Sequence, residues 1–257
     1  MSNSSLVTYT RLSPNRTSPR NHKIDTVTIH CYVGEVTAER GCSGSRFTRY
    51  NPLSGASCNY VVGYDGSIGL CVEEKDRSWC SSNKANDHRA ITIEVASETK
   101  APYKVTDEAM EALIKLLVDI CHRNDIEQLR WQGDKNLIGQ VDKQNMTVHR
   151  WFKNKACPGE YLYDRHTEIA AEVNRRLGIN TEMEENTADK KPYRVRVIAS
   201  CLNIRAGAGV NHAKRGEIRG CGIYTIIETR SGQGSKSGWG RLKSGAGWIS
   251  LDYTEKI

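Results

Sequence analysis

The sequence predicts a mixed α/β domain, with a central sheet flanked by helices, followed by a small all-β barrel. Three observations carry this reading. In the first 180 residues, short β-branched and apolar runs alternate with two stretches of helical periodicity. Residues 181–192, TEMEENTADKKP, have no apolar period, carry four acids and two lysines, and end at Pro192, which marks a linker. From Tyr193 onward, short β-rich runs are separated by Gly and Ser clusters.

Taken in order, strands are expected around residues 25–30, 59–63, 68–72 and 90–96. A helix follows over 106–123. Met110, Leu113, Ile114, Leu117, Val118 and Cys121 fall at i, i+3, i+4, i+7, i+8 and i+11, one apolar face that begins at Thr106 and Asp107. A second helix is expected over 160–177, with Tyr161, Ile169, Ala170, Val173 and Leu177 facing inward and Gly178 ending it. The domains are therefore 1–180, a linker at 181–192, and 193–257. In the last of these, Tyr193–Ile198, Ile223–Glu228 and Gly247–Leu251 read as strands and no helix is expected.

A chain of 257 residues with 38% hydrophobic content can bury a sizeable core. No window approaches the roughly 18 consecutive apolar residues of a membrane span, so no membrane insertion is expected. The start, MSNSSLVTYTRLSPNRTSPRNHK, lacks the apolar segment of a secretory signal, so synthesis without a Sec-type export signal is expected. Nine cysteines, an odd number without CxxC spacing, fit free thiols in a reducing compartment.

The candidate chemistry lies in His30, which ends the strand-like run Val27-Thr28-Ile29, and in His149 and Cys157, eight residues apart. Two imidazoles and a thiolate form a zinc ligand set, and three protein ligands leave a fourth position open for catalysis. The spacing from His149 to Cys157 is too long for a helical HExxH pair, so a loop that reaches Pro158 has to bring Cys157 back. Cys31 points to the other strand face and is left out of the shell. The residues alone leave open that these are ordinary buried histidines and a small apolar cysteine. Glu94, within Ala90–Ala96, is an acid among apolar residues and a candidate general base; an exposed strand position is its other reading.

The blocks TIH, NYVVGYDGSIG, AITIEVAS and TVHRWFKNKACPG resemble, in order and spacing, the type-2 N-acetylmuramoyl-L-alanine amidases, the family of phage and clostridial endolysins and animal peptidoglycan-recognition proteins. The likeness spans about residues 22–178. It implies a zinc site of His30, His149 and Cys157, with Glu94 as general base and Lys155 beside the developing oxyanion. A solvated loop lysine beside Lys153 is the other reading of Lys155. One departure stands out: a phage member carries a tyrosine seven residues before its Asp-Gly turn, and the matching position before Asp65 is Cys58, with Asn59 and Tyr60 as neighbours.

Leu202-Asn203-Ile204-Arg205-Ala206-Gly207, Gly238-Trp239-Gly240-Arg241-Leu242 and Gly247-Trp248-Ile249-Ser250-Leu251 resemble the bacterial SH3-like domain of cell-wall enzymes, over about 193–254. Trp239 and Trp248 serve either a core or a ligand platform. Residues 193–257 hold eleven Lys or Arg against four Asp or Glu, whereas residues 1–180 hold 24 basic and 22 acidic residues. That excess favours an anionic polymer, and a Gram-positive wall is one. Together the resemblances imply a zinc endolysin or autolysin that cleaves the bond between N-acetylmuramic acid and L-alanine in peptidoglycan. It would be made in the host cytoplasm and reach the wall after holin-type release. The competing readings are a non-catalytic peptidoglycan receptor, an enzyme recycling small muropeptides, and a nucleic-acid binder supported by charge alone, so no nucleic-acid partner is expected. The oligomeric state is not legible.

Overall fold

The computed structural model describes residues 2–179 and 192–257. The chain divides into two compact units, residues 1–180 and 181–257. The linker expected at 181–192 falls, save for Pro192, outside the described residues.

The strands of the first unit are β1 (Tyr9–Thr10), β2 (Arg16–Thr17), β3 (Thr26–Val33), β4 (Tyr60–Val62), β5 (Ile68–Leu70), β6 (Arg77–Ser78), β7 (Ala90–Ser97) and β8 (Met146–Thr147). Its helices are α1 (Ala38–Cys42), α2 (Ser45–Thr48), α3 (Lys84–Arg89), α4 (Asp107–Arg123) and α5 (Gly159–Arg176). Six strands form a mixed sheet in the order β1-β5-β4-β7-β3-β8, and β2 pairs with β6 in a separate ribbon. Within the large sheet only β4 and β5 run antiparallel.

β3 and β7 lie inside the sheet and are covered on both faces, which is why TVTIHCYV and AITIEVAS carry so few exposed positions. On one face Val27, Ile29, Ile91, Ile93 and Val95 join the main core with α4 and α5. On the other, Cys42, Phe47, Cys58, Val61 and Cys71 form a smaller cluster. All nine cysteines are free thiols.

The two long helices lie within a residue of their expected spans. Thr106 caps α4 by accepting the Ala109 N–H, as its sequence position implied. The buried face of α4 is wider than the expected stripe: Leu116 and Ile120 are buried too, because α5 and β7 both pack against the helix. Met110 and Val118 only border the core. In α5, Ile169, Ala170 and Val173 are buried, while Tyr161 and Leu177 lie at its margin. The elements not expected, β1, β2, β6, β8 and α1 to α3, have two to six residues each, too few to show a period.

The second unit contains β9 (Tyr193–Val197), β10 (Cys201–Arg205), β11 (Lys214–Arg219), β12 (Ile223–Arg230), β13 (Trp239–Leu242), β14 (Trp248–Ser250) and β15 (Thr254–Lys256). They form one antiparallel sheet in the order β11-β10-β14-β13-β12-β9-β15, consistent with an SH3-like domain. Val195, Val197, Leu202, Ile218, Ile226, Leu242 and Ile249 make its core. Trp239 and Trp248 are both buried, which favours the core reading over a ligand platform. Gly247, at φ +139°, has no room for a side chain: a Cβ there would lie 2.3 Å from the Arg205 carbonyl oxygen. No α-helix occurs among the described residues of this unit, although Leu251–Tyr253 close into a 3₁₀ turn. No described helix of the chain is long and apolar enough to cross a membrane.

Candidate metal centre

Strand alternation sends Val27, Ile29 and Cys31 into the main core and leaves His30 on the opposite face, fully buried. In the parallel ladder His30 is in register with Glu94 of β7. His30 and Glu94 thus stand on interior strands of the sheet. His149 arrives from beyond the edge strand β8, whose pairing with β3 carries the chain alongside His30 before the 3₁₀ turn His149–Trp151 begins. The two imidazole rings meet edge-on with centroids 5.1 Å apart.

Cys157 returns to this pair through the loop expected from its spacing. Arg150 closes that loop: its N–H donates to the Cys157 carbonyl at 3.1 Å and its guanidinium to the Ala156 carbonyl at 2.6 Å. Gly159, at φ +80°, then turns the chain into α5, where a Cβ would lie 2.9 Å from the Tyr103 ring and 3.0 Å from the Pro102 carbonyl. The Cys157 Sγ ends 3.4 Å from His30 Nδ1. One ligand atom from each of His30, His149 and Cys157 lies within 4.8 Å of the other two, close enough to share an ion.

The electrostatics suit a cation. Burial first, and the neighbouring His149 second, lower the His30 pKa to about 3. Burial and then the Lys155 charge lower that of His149. Both rings are therefore neutral near pH 7 and offer lone pairs. Contact with the Cys31 thiol, followed by burial, pushes the Cys157 thiol up, so its ionisation at neutral pH depends on a nearby cation. His30 Nε2 and Glu94 Oε2 are buried without a hydrogen-bond partner among the described residues, a state that buried polar atoms rarely keep. The residues fit zinc.

Glu94 is half-buried between Ile93 and Val95 of the core. Burial raises its carboxyl to about 7, and the Cys80 thiol, 3.8 Å from Oε1, pulls weakly the other way. Lys155 is exposed, yet close enough for its charge to act on His149. All five residues singled out in the sequence therefore converge on one region.

The question left by Cys58 resolves against its neighbours. Tyr60 is in register with Ile93, on the face away from Glu94, and its hydroxyl donates to Glu74 Oε1 at 2.6 Å. The Asn59 side chain is bound to the Val72 carbonyl and the Thr92 N–H. Neither presents a group to the centre.

Three residues were missed. Cys80 forms a second possible ligand group with His30 and Glu94. Ser82 places Oγ 3.1 Å from His149 Nε2. Tyr32 is near enough for Glu94 to raise its hydroxyl pKa, after burial. Only Tyr32 had a legible signal, since it follows His30 by two along a strand.

Among solved structures the first unit is similar to an endolysin from Bacillus subtilis (17% identity, 65% of this chain and 99% of that chain, TM-score 0.46). It is also similar to the catalytic domain of PlyG (15%, 67% and 96%, TM-score 0.47) and to the N-acetylmuramoyl-L-alanine amidase LysC from Clostridium intestinale (18%, 64% and 97%, TM-score 0.44). No curated protein matches the chain. The family model described as N-acetylmuramoyl-L-alanine amidase matches residues 20–160, a span that contains His30, Glu94, His149, Lys155 and Cys157. With more than half of its length so matched, the chain belongs to the N-acetylmuramoyl-L-alanine amidase family.

Proposed function

We propose that this chain is a zinc-dependent peptidoglycan hydrolase that cleaves the amide between the lactyl group of N-acetylmuramic acid and L-alanine. It would act as an endolysin on a Gram-positive wall. The observation that carries the reading is the convergence of His30, His149 and Cys157 beside a carboxyl raised to about 7.

In this reading His30, His149 and Cys157 hold zinc, which when bound supplies Lewis acidity, polarising the scissile carbonyl and acidifying water. Glu94 takes the proton of the attacking water and returns it to the leaving amine; a carboxyl near 7 is matched to both transfers at neutral pH. Lys155 places an ammonium where negative charge develops on the carbonyl oxygen. Arg150 holds the return loop, and with it Cys157, in place. The basic second unit retains the enzyme on its anionic polymer, and access to the wall follows opening of the membrane from inside.

Digestion of purified Gram-positive peptidoglycan with and without chelator, followed by mass spectrometry of the released ends, tests the proposal. New L-alanine amino termini that appear only without chelator, beside intact glycan strands, are expected. Wall binding with no new ends would replace the reading with that of a non-catalytic receptor.

A further inference from the structure

The segment Trp79–Asn83, between β6 and α3, is held from below by buried polar groups. Asp87, 1% exposed, accepts the Cys80 N–H at 3.1 Å, the Ser81 N–H at 3.2 Å and the Ser81 hydroxyl. Asn86 Nδ2 donates to Ser81 Oγ at 3.1 Å and to Thr28 Oγ1 at 3.0 Å, while Asn86 Oδ1 accepts the Thr147 hydroxyl at 2.9 Å. The Thr28 and Thr147 hydroxyls are themselves 2.8 Å apart. Thr28 lies two residues before His30, and Thr147 two before His149. One buried network therefore joins this loop to both histidine-bearing segments.

The next residue out from that network is Ser82. Its φ of +60° is the left-handed conformation that residues with a Cβ seldom adopt, and its Oγ lies 3.1 Å from His149 Nε2. Because Ser81 and Cys80 are pinned on Asp87 and Asn83 caps α3 by accepting the Asn86 N–H at 2.9 Å, the Ser82 hydroxyl is delivered from a fixed backbone.

We propose that Ser82 is a positioning residue for the metal: its Oγ accepts the Nε2–H of His149 and so holds the imidazole in the tautomer whose Nδ1 lone pair is free for zinc. This rests on the zinc reading above. A ligand histidine with its second nitrogen so engaged is fixed in ring orientation and tautomer, and loss of such a partner typically weakens metal binding about 10- to 100-fold.

The test uses the full-length protein and its Ser82→Ala and Ser82→Gly variants. Zinc affinity is measured by competition with a chromophoric chelator, the ligand field by the visible spectrum of the cobalt-substituted forms, and fold integrity by thermal unfolding of the metal-free proteins. Both variants are expected to bind zinc roughly 10-fold more weakly and to shift the cobalt bands, with metal-free unfolding temperatures no lower than that of the wild type. Wild-type affinity in both variants overturns the proposal. So does a loss in Ser82→Ala alone, since glycine relieves the left-handed backbone without restoring the hydroxyl and the effect would then be conformational. A loss that follows a fall in metal-free unfolding temperature overturns it as well. If zinc binds the wild type and a His149→Ala variant equally, the metal reading itself fails, and this one with it.

Discussion

His30 and Glu94 stand opposite one another in the parallel ladder of β3 and β7, so a single register places a candidate ligand and a candidate base side by side. A one-residue slip of either strand would send one of them into the main core. That core is built from Ile29, Ile93 and their neighbours, so the burial that fixes the register also fixes the pairing of the two functional groups.

Replacing Glu94 with Gln keeps its shape and removes its proton chemistry. Hydrolysis should fall by about 10²- to 10⁴-fold while zinc content stays at the wild-type level. Rates of new amino-terminus release, measured beside metal analysis, check this; retained activity would remove Glu94 from the proton path.

His30→Ala or Cys157→Ala should abolish both hydrolysis and stoichiometric zinc, because two remaining ligands hold the ion poorly. In the wild type, chelation should silence the enzyme and lower its unfolding temperature, and added zinc should restore both. Either variant that kept full activity would overturn the ligand assignment.

His166 gives the first unit an acid sensitivity of its own. It is fully buried against Trp131, Nδ1 donates to the Leu162 carbonyl at 2.7 Å, and burial lowers its pKa to about 4. The unfolded chain, with an ordinary histidine near 6.5, binds this proton first as pH falls. The associated stability is therefore complete above about pH 6.5 and is lost down to about pH 4, a loss of up to ~3 kcal/mol. Urea unfolding of wild type and His166→Gln at pH 7 and pH 4.5 should show a smaller acid loss in the variant.

Arg20 is buried, and its guanidinium donates to the Glu74 carbonyl at 2.6 Å, the Asp76 carbonyl at 2.9 Å, the His88 carbonyl at 2.8 Å and the Ala90 carbonyl at 3.2 Å. An ammonium cannot span that fork, so Arg20→Lys leaves several carbonyls unpaired. A stability loss of about 3 kcal/mol or more in chemical denaturation is expected. An unchanged midpoint would mean that water replaces these contacts without cost.

In the second unit, Gly247→Ala forces a Cβ against the Arg205 carbonyl and a side chain into a left-handed φ. That unit should lose about 2 kcal/mol or more of stability and unfold at lower temperature, with the hydrolytic rate on soluble fragments unaffected. Calorimetry beside a fragment assay checks both halves.

The sequence by itself determined the two long helices and the principal strands, and it singled out His30, His149, Cys157, Glu94 and Lys155 as candidates. A repeating apolar pattern declares which face is buried, and residue chemistry together with the family likeness marks which groups are candidates to bind metal or carry protons. What only the tertiary structure decided is which of these groups meet which others. Ser82 and His149 are 67 positions apart, and Asn86 and Thr147 are 61 apart; no local pattern encodes such contacts, because the strand order of the sheet creates them. The fate of Tyr60 belongs to the same class. Its type suited the centre, but its register with Ile93 turned it to the other face, where Glu74 takes its hydroxyl. Periodicity reports burial along one chain segment, while hydrogen bonds between segments depend on how closure of the fold aligns them.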